Sequence, residues 1–447
     1  MAHASEAACL LKTGSMYTRR LGLRPTSAHG EDIFAGLKHG AWSLYFGDAP
    51  IYHFDLEGRW QRAFIAGTHY LKGLDTRVDA IERKREGDNL VLQRRALDAK
   101  ETDQLDSSVR SMALQLIEAL ALGSVAPVDP PEPTRPFTPE HLRTNLESIA
   151  RWDSAAWNAH RERYQRAYGP LGFVPPEGQQ AVVLQATLGD ADGVTFGHFS
   201  APPHFVRAST EFEEHAGRVA GLIGKRALQC RGIYLAGSDL LRLPTEKVAS
   251  YLRVATQVFP VDPSAARVRL RDVPEETPRL AGVYAFLDCF EPPLPDLAGW
   301  RLFQQLHLTR VILGIESGEP EVRRLYGKRW SNDTVQKTVA DLKQAGLVVS
   351  VVTLVGAGGV ENAEQHVAAT AASINALPLG HGDLVYLIDA AEAAGDESRE
   401  KLFALGLTPL PDQARREQQA RLLALLASVR TERKAKVTPY SLEKQLA

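Results

Sequence analysis

A chain of 447 residues is long enough for two or three domains around a large core. Its composition, 44% hydrophobic and 24% charged, is that of an ordinary globular protein, and a net charge of −2 gives no global argument for a nucleic-acid partner or an acidic membrane surface. The opening MAHASEAACLLKTGSM lacks a positively charged region followed by a long apolar core, so no secretory signal is expected. The longest apolar run, residues 347–355, is far shorter than the roughly 20 residues that cross a bilayer, so a cytoplasmic location without membrane contact is expected.

In chain order, residues 1–30 read as a partly ordered lead-in. Between Trp42 and Leu97, short segments of β type (WSLYF, IYHF, RWQRAFIAG, THYL, NLVLQRRAL) are separated by turn signals such as Gly47-Asp48 and Gly87-Asp88, which predicts a small antiparallel meander. Arg59, Arg62 and His69 read as a solvated strand face. Residues 103–122 place Val109, Met112, Leu116 and Leu120 at helical spacing, completing an N-terminal unit over 1–123. The Pro-rich run 124–138, SVAPVDPPEPTRPFT, predicts an extended linker, followed by a helical lead-in over 139–180.

From Val182 onward, strands and helices alternate. VVLQATL, RGIYLAG (231–237), AGVYAFLD (281–288), RVILGIES (310–317), LVVSVVTLV (347–355) and DLVYLID (383–389) read as six buried strands. Helices fall between them, with start signals at Thr210, Thr245, Asp296 and Ser331. Such alternation implies a parallel sheet with right-handed crossovers, and places the chemistry at the carboxyl ends of the strands. Residues 391–447 read as a helical tail, with a locally basic solvated face over 415–436. The three cysteines, Cys9, Cys230 and Cys289, show no metal-ligand spacing. Cys230 precedes one strand and Cys289 follows the next, which in parallel neighbours separates them by about 20 Å, so they read as small buried hydrophobes.

The loop after the first of these strands, DADGVTFGH (190–198), resembles the Cys-x3-Cys-x-aromatic-Cys loop of radical SAM (S-adenosylmethionine) enzymes, with Phe196 at the aromatic position. All three cysteine positions hold other residues: Asp190, Val194 and Gly197. Three further stretches resemble the same family over roughly 180–390. RGIYLAGSDLLRLP is similar to the second strand and the turn that receives the amino group of SAM, implying Gly237, Ser238 and Asp239 at that site. TRVILGIESGEPEV is similar to the fourth strand, implying Glu316 and Ser317 near the ribose and methionine parts. VVTLVGAGGVEN is similar to the fifth strand and its glycine turn, implying Gly356, Gly358 and Gly359 beside adenine. The fold so implied is α/β: a partial (βα)6 barrel of radical SAM type over 181–390, behind the N-terminal β and helix domain.

The family's four-iron cluster depends on three thiolates, and valine and glycine side chains carry no donor atom at all. The resemblance therefore implies radical SAM architecture without the 4Fe-4S cluster: a degenerate member that keeps SAM as a possible ligand, with a binding or scaffold role toward an unknown substrate or protein partner. Two alternatives stay open. One is an active radical SAM enzyme, with cluster and reductive SAM cleavage, if positions 190, 194 and 197 are cysteine in the native protein. The other is a hydrolase or lyase holding a single metal ion at Asp190, Asp192 and His198, donors that suit Mg, Mn or Zn.

Overall fold

The computed structural model describes residues 17–26, 31–86, 89–128, 135–189, 204–237, 240–264, 276, 278–392, 400 and 402–441. The alternating apolar pattern of the N-terminal third builds eight sequential antiparallel strands, from β1 (Arg19–Pro25) and β2 (Ile33–Lys38) through β3 (Ala41–Phe46), β4 (Ile51–Asp55), β5 (Trp60–Ile65), β6 (Thr68–Lys72) and β7 (Val78–Glu86) to β8 (Asn89–Ala96). Helix α1 (Ala99–Ala121) follows, opened by a capping box in which Asp98 accepts from the Glu101 N–H (2.8 Å) and Glu101 accepts from the Asp98 N–H (2.9 Å). Two more strands, β9 (Val125–Val128) and β10 (Arg135–Pro136), bring the sheet to ten. Helices α2 (Pro139–Ala150) and α3 (Ser154–Ala167) complete the unit, capped by Thr138 and Asp153. One face of the sheet, with Trp42, Leu44, Phe54, Trp60 and Val78, packs against Val109 and Leu116 of α1, Leu142 and Leu146 of α2 and Trp157 of α3.

Two expectations are corrected here. The meander is larger than the span 42–97, because RRLGLRP within the supposed lead-in forms β1, with Leu21 and Leu23 buried in the core. The Pro-rich run is not a free linker: β9 pairs antiparallel with β1 and β10 pairs parallel with it, so both of its described ends are stitched into the sheet. Proline is tolerated there because these are short peripheral pairings.

The second unit is a parallel sheet. Its strands are β11 (Ala181–Gln185), β14 (Gly232–Ala236), β15 (Val283–Leu287), β16 (Leu308–Gly314), β17 (Val348–Val355), β18 (Leu384–Asp389) and β19 (Lys436–Tyr440), paired in sequence order. A small ribbon of β12 (Thr187–Leu188) and β13 (Phe205–Val206) stands beyond the end of β11. The connecting helices are α4 (Ser209–Ile223), α5 (Thr245–Val258), α6 (Leu297–Gln305), α7 (Pro320–Leu325), α8 (Asn332–Gln344), α9 (Ala363–Asn375), α10 (Asp412–Leu425) and α11 (Ala427–Thr431). The sheet has seven strands, not six: the expected helical tail ends in β19, parallel to β18. Helix α4 starts at Ser209, earlier than a Thr210 cap allows, because the Glu211 carboxylate reaches back to the Ala208 N–H (2.6 Å).

The period of two in each strand divides the second core. Val349, Val351 and Val355 of β17 face the helices, with Leu313, Val339, Ile374 and their neighbours. Val352 and Leu354 face the other way, toward Tyr234, Phe286, Ile312, Tyr326 and Ile388. The two units are joined by buried hydrogen bonds: Arg59 donates to Leu222 O (2.7 Å) and Ile223 O (2.6 Å) at the end of α4, where the last carbonyls of a helix lack partners. Among the described residues no helix is long and apolar enough to cross a membrane.

Candidate functional site at the carboxyl ends of the parallel strands

Three charged side chains are buried where β15 and β16 end. Asp288, the residue after β15, is fully buried and accepts from Lys328 Nζ at 2.8 Å. Lys328 comes from the turn closing α7, where Gly327 takes a φ of 70° that suits glycine and sends the chain back beneath the strand ends. Trp330 Nε1 donates to Asp288 O (3.2 Å), and its ring packs on Phe290 (4.9 Å between centroids) and under the Arg323 guanidinium (4.6 Å). Arg323 in turn ties the loop after β16, donating to Gly318 O and to Asn332 Oδ1, both at 2.8 Å.

Glu316 is the unusual member. Its side chain is fully buried, neither carboxyl oxygen has a hydrogen-bond partner among the described residues, and its closest cation is Lys328 Nζ at 3.9 Å. Its backbone is held at a φ of +21°, uncommon for a residue with a Cβ, by two bonds from β17: Thr353 Oγ1 and the Leu354 N–H both donate to Glu316 O at 3.0 Å. Burial pushes its pKa up to about 8, only partly opposed by Lys328, while Asp288 raises it further. A buried carboxyl without donors is costly, and the Lys328 charge at 3.9 Å offsets that cost only in part. Tyr326 lies beside it, its hydroxyl donating to Ala357 O (3.2 Å).

The other sequence-derived positions divide. Gly237 ends β14 at a φ of 143°, and a Cβ there would fall 1.9 Å from Thr187 Oγ1, so the second strand presses against the base of the first loop and only glycine fits. Ser317 turns from Glu316 toward α9, bonding His366 Nδ1 (2.7 Å) and receiving the Glu319 N–H (2.9 Å). The Gly356 N–H donates to Gln418 Oε1 (2.7 Å), and the Arg415 side chain lies where its Cβ would be. Gly358 packs against Asn362 and Val322. Ser317, Gly356 and Gly358 are therefore engaged by this chain's own helices, whereas Glu316 is not. Asp190, Asp192, Val194, Phe196, Gly197, His198, Ser238 and Asp239 lie outside the described residues. Among the described residues no group of three or more His, Cys, Asp or Glu is placed to hold a metal.

Lys328 and Asp288 are site residues that sequence reading passed over. A signal existed for one of them: Asp288 closes the otherwise apolar run AGVYAFLD, and an acid ending a buried strand needs a partner. Lys328 sits in a polar turn, and only the fold brings it under β15. In the basic C-terminal segment Arg415 pairs with Asp389 (2.7 Å) and Arg421 with Glu364 (2.5 Å). A polar depression on α1, lined by Lys100, Asp103, Ser107 and Ser111, lies on the other unit and shares none of these residues.

No protein-family model and no curated protein matches the chain. Among solved structures it is similar to coproporphyrinogen III oxidase (HemN) from Escherichia coli, at 12% identity over 48% of this chain and 44% of that one, with a TM-score of 0.35. It is also similar to the methyltransferase TsrM from Kitasatospora setae, at 15% identity over 49% of this chain and 39% of that one, TM-score 0.31. HemN and TsrM are radical SAM enzymes. A third, methylornithine synthase (PylB), overlaps 68% of this chain and 84% of its own at 10% identity, TM-score 0.34. The chain spans less than half the length of the first two structures. TM-scores below 0.5 assign neither site nor activity, which rest on the residues above.

Proposed function

We propose that this chain is a radical SAM type protein, its parallel sheet a partial barrel, that retains a site for SAM or a related adenosyl ligand but not the 4Fe-4S cluster that would cleave it. The observation that carries the ligand site is Glu316, a buried carboxyl without donors at the end of β16, where the sequence resemblance puts the ribose. Ribose hydroxyls are donors of the kind that carboxyl lacks. Gly237, close against Thr187, supports an amino-group turn at the end of β14, with Ser238 and Asp239 following it in sequence. SAM would supply a sulfonium and an adenosyl group. The residues of this chain would bind and orient it, and the bond from Lys328 would fix Asp288 in place beneath it.

The cluster does not fit the residues present. Asp190, Val194 and Gly197 offer one hard oxygen donor and no sulfur. Cys230 and Cys289 flank opposite ends of the neighbouring strands β14 and β15, and burial raises both thiols, Cys230 to about 11, which disfavours the thiolate a cluster needs. The function that remains is binding or scaffolding, by itself or beside a partner.

Calorimetry with SAM and with S-adenosylhomocysteine tests the reading. Without an iron chelate the two ligands should bind within a few-fold of each other, and Glu316→Gln should weaken both by about ten-fold, the worth of about one hydrogen bond. No heat with either ligand overturns the ligand site. Strong preference for SAM after iron and sulfide loading overturns the loss of the cluster.

A further inference from the structure

We infer that the face of the N-terminal sheet turned away from its helices carries a binding site for a phosphate-type oxyanion, built on Lys38, His53 and Arg62. The register puts these groups together. Gly36 of β2 lies opposite Ser43 of β3, Ser43 opposite His53 of β4, and His53 opposite Arg62 of β5. Lys38, two residues beyond Gly36, shares that face by the period of two. Arg20 of β1, opposite Gly36, stands in the same row. This face is not the core face: Trp42, Leu44 and Phe54, one residue out of phase, pack against the helices instead.

Among the described residues no carboxylate meets Lys38 or Arg62. Neither Lys38 nor Arg62 has a hydrogen-bond or ion-pair partner among the described residues, in contrast to Arg24, Arg94 and Arg95 of the same sheet, each of which meets a carboxylate. The nearest acid in the sequence of β4, Asp55, is already taken by Arg59 Nε at 2.6 Å and by two backbone N–H groups. Burial first and the Arg62 charge second lower Lys38, and burial, aided by Lys38 and Arg62, brings the His53 pKa down to about 4. Half-buried like charges facing one another are costly unless an external anion completes them.

The surroundings suit a small oxyanion. His53 Nδ1 is engaged by Ser43 Oγ (2.7 Å), which fixes the ring and leaves the other ring nitrogen for a ligand. Tyr45 flanks the imidazole edge-on at 6.2 Å and is itself fixed by its hydroxyl bond to Tyr17 (2.5 Å). Ser43 is fully buried, His53 and Lys38 are half-buried, and Arg62 reaches the surface, which gives the row a floor and an open rim. A guanidinium and an ammonium around a doubly charged oxyanion form charge-assisted hydrogen bonds.

The test titrates the full chain with inorganic phosphate, pyrophosphate and AMP at constant ionic strength, following heat and the His53 ring resonances. Pyrophosphate or AMP is expected to bind and to raise the His53 pKa, because a bound anion stabilises the imidazolium. AMP binding well above inorganic phosphate identifies a nucleotide as the source of the phosphate, and equal binding identifies the free oxyanion. The double variant Lys38→Ala/Arg62→Ala is expected to weaken binding by about ten-fold or more while leaving the unliganded protein as stable or more so, since it removes repulsion. Absence of heat and of any His53 shift with all three probes overturns the proposal. So does binding that the double variant leaves unchanged.

Discussion

The two ends of the parallel sheet treat a buried glutamate in opposite ways. At the amino end, Glu177 is largely buried and its pKa is raised by desolvation, yet Ser350 Oγ donates to its Oε1 and Arg310 lies 3.7 Å from the same oxygen, leaving only Oε2 without a partner among the described residues. Arg310 also donates to Ser350 Oγ at 2.7 Å and to Gly382 O at 2.9 Å, so the group joins β16, β17 and the turn that leads into β18. At the carboxyl end, Glu316 is more deeply buried, its backbone is held at positive φ, and its oxygens have no donor among the described residues. A carboxyl held by a hydroxyl donor and a nearby guanidinium helps close a structure, whereas one with neither oxygen hydrogen-bonded, on a strained backbone, is maintained at a cost and points to a ligand. The difference separates the end that holds the sheet together from the end that has something to bind.

The comparison can be broken most forcefully at Lys328. Lys328→Met leaves Asp288 buried without its cation and should cost about 3–5 kcal/mol, read from the denaturant midpoint; a loss below about 1 kcal/mol would mean that the cluster is not charged as described. At the other end, Glu177→Gln should cost about 1–2 kcal/mol, because it removes the charge that faces Arg310 and weakens the bond from Ser350. The counterpart, Glu316→Gln, should go the other way, leaving unliganded stability unchanged or raised by about 1 kcal/mol while lowering ligand affinity. Equal losses for the two glutamates would erase the contrast.

A smaller effect sharpens it further. A carboxyl raised from its ordinary 4.5 to about 8 binds its proton more tightly in the folded state than in the unfolded one. Its contribution is therefore fully present below pH 4.5, and is lost as pH rises through 8, at no more than about 1.4 kcal/mol per pH unit. The pH dependence of unfolding between 5 and 8 should flatten in Glu316→Gln relative to wild type. An unchanged slope would show that Glu316 is not the group responsible.

Much of the second unit was legible because its strands are continuous apolar runs closed by glycine or acid, a pattern that only a doubly covered parallel sheet requires. RGIYLAG and LVVSVVTLV became β14 and β17 within a residue or two of their expected bounds. β19 was hidden because KVTPY follows a charged stretch and contains a proline, which marks an edge strand only once β18 is known to lie beside it. β1 escaped for a similar reason: its arginines mask the alternation of Leu21 and Leu23. At the site, Glu316 could be named from its motif, but its lack of donors could not, since that depends on Ser317 turning to His366 and on Thr353 capturing the Glu316 carbonyl. Lys328 and Asp288 are forty residues apart, and their pairing is purely tertiary.

The account stands on a ligand site that has lost its sulfur donors, and iron content is its most direct measure. After anaerobic loading with iron and sulfide, the full chain is expected to retain no stoichiometric iron, to show no charge-transfer absorption and to leave SAM intact under reducing conditions. Protein that emerges brown, with about four irons per chain as a four-iron cluster requires, and that releases 5′-deoxyadenosine from SAM, would contradict it.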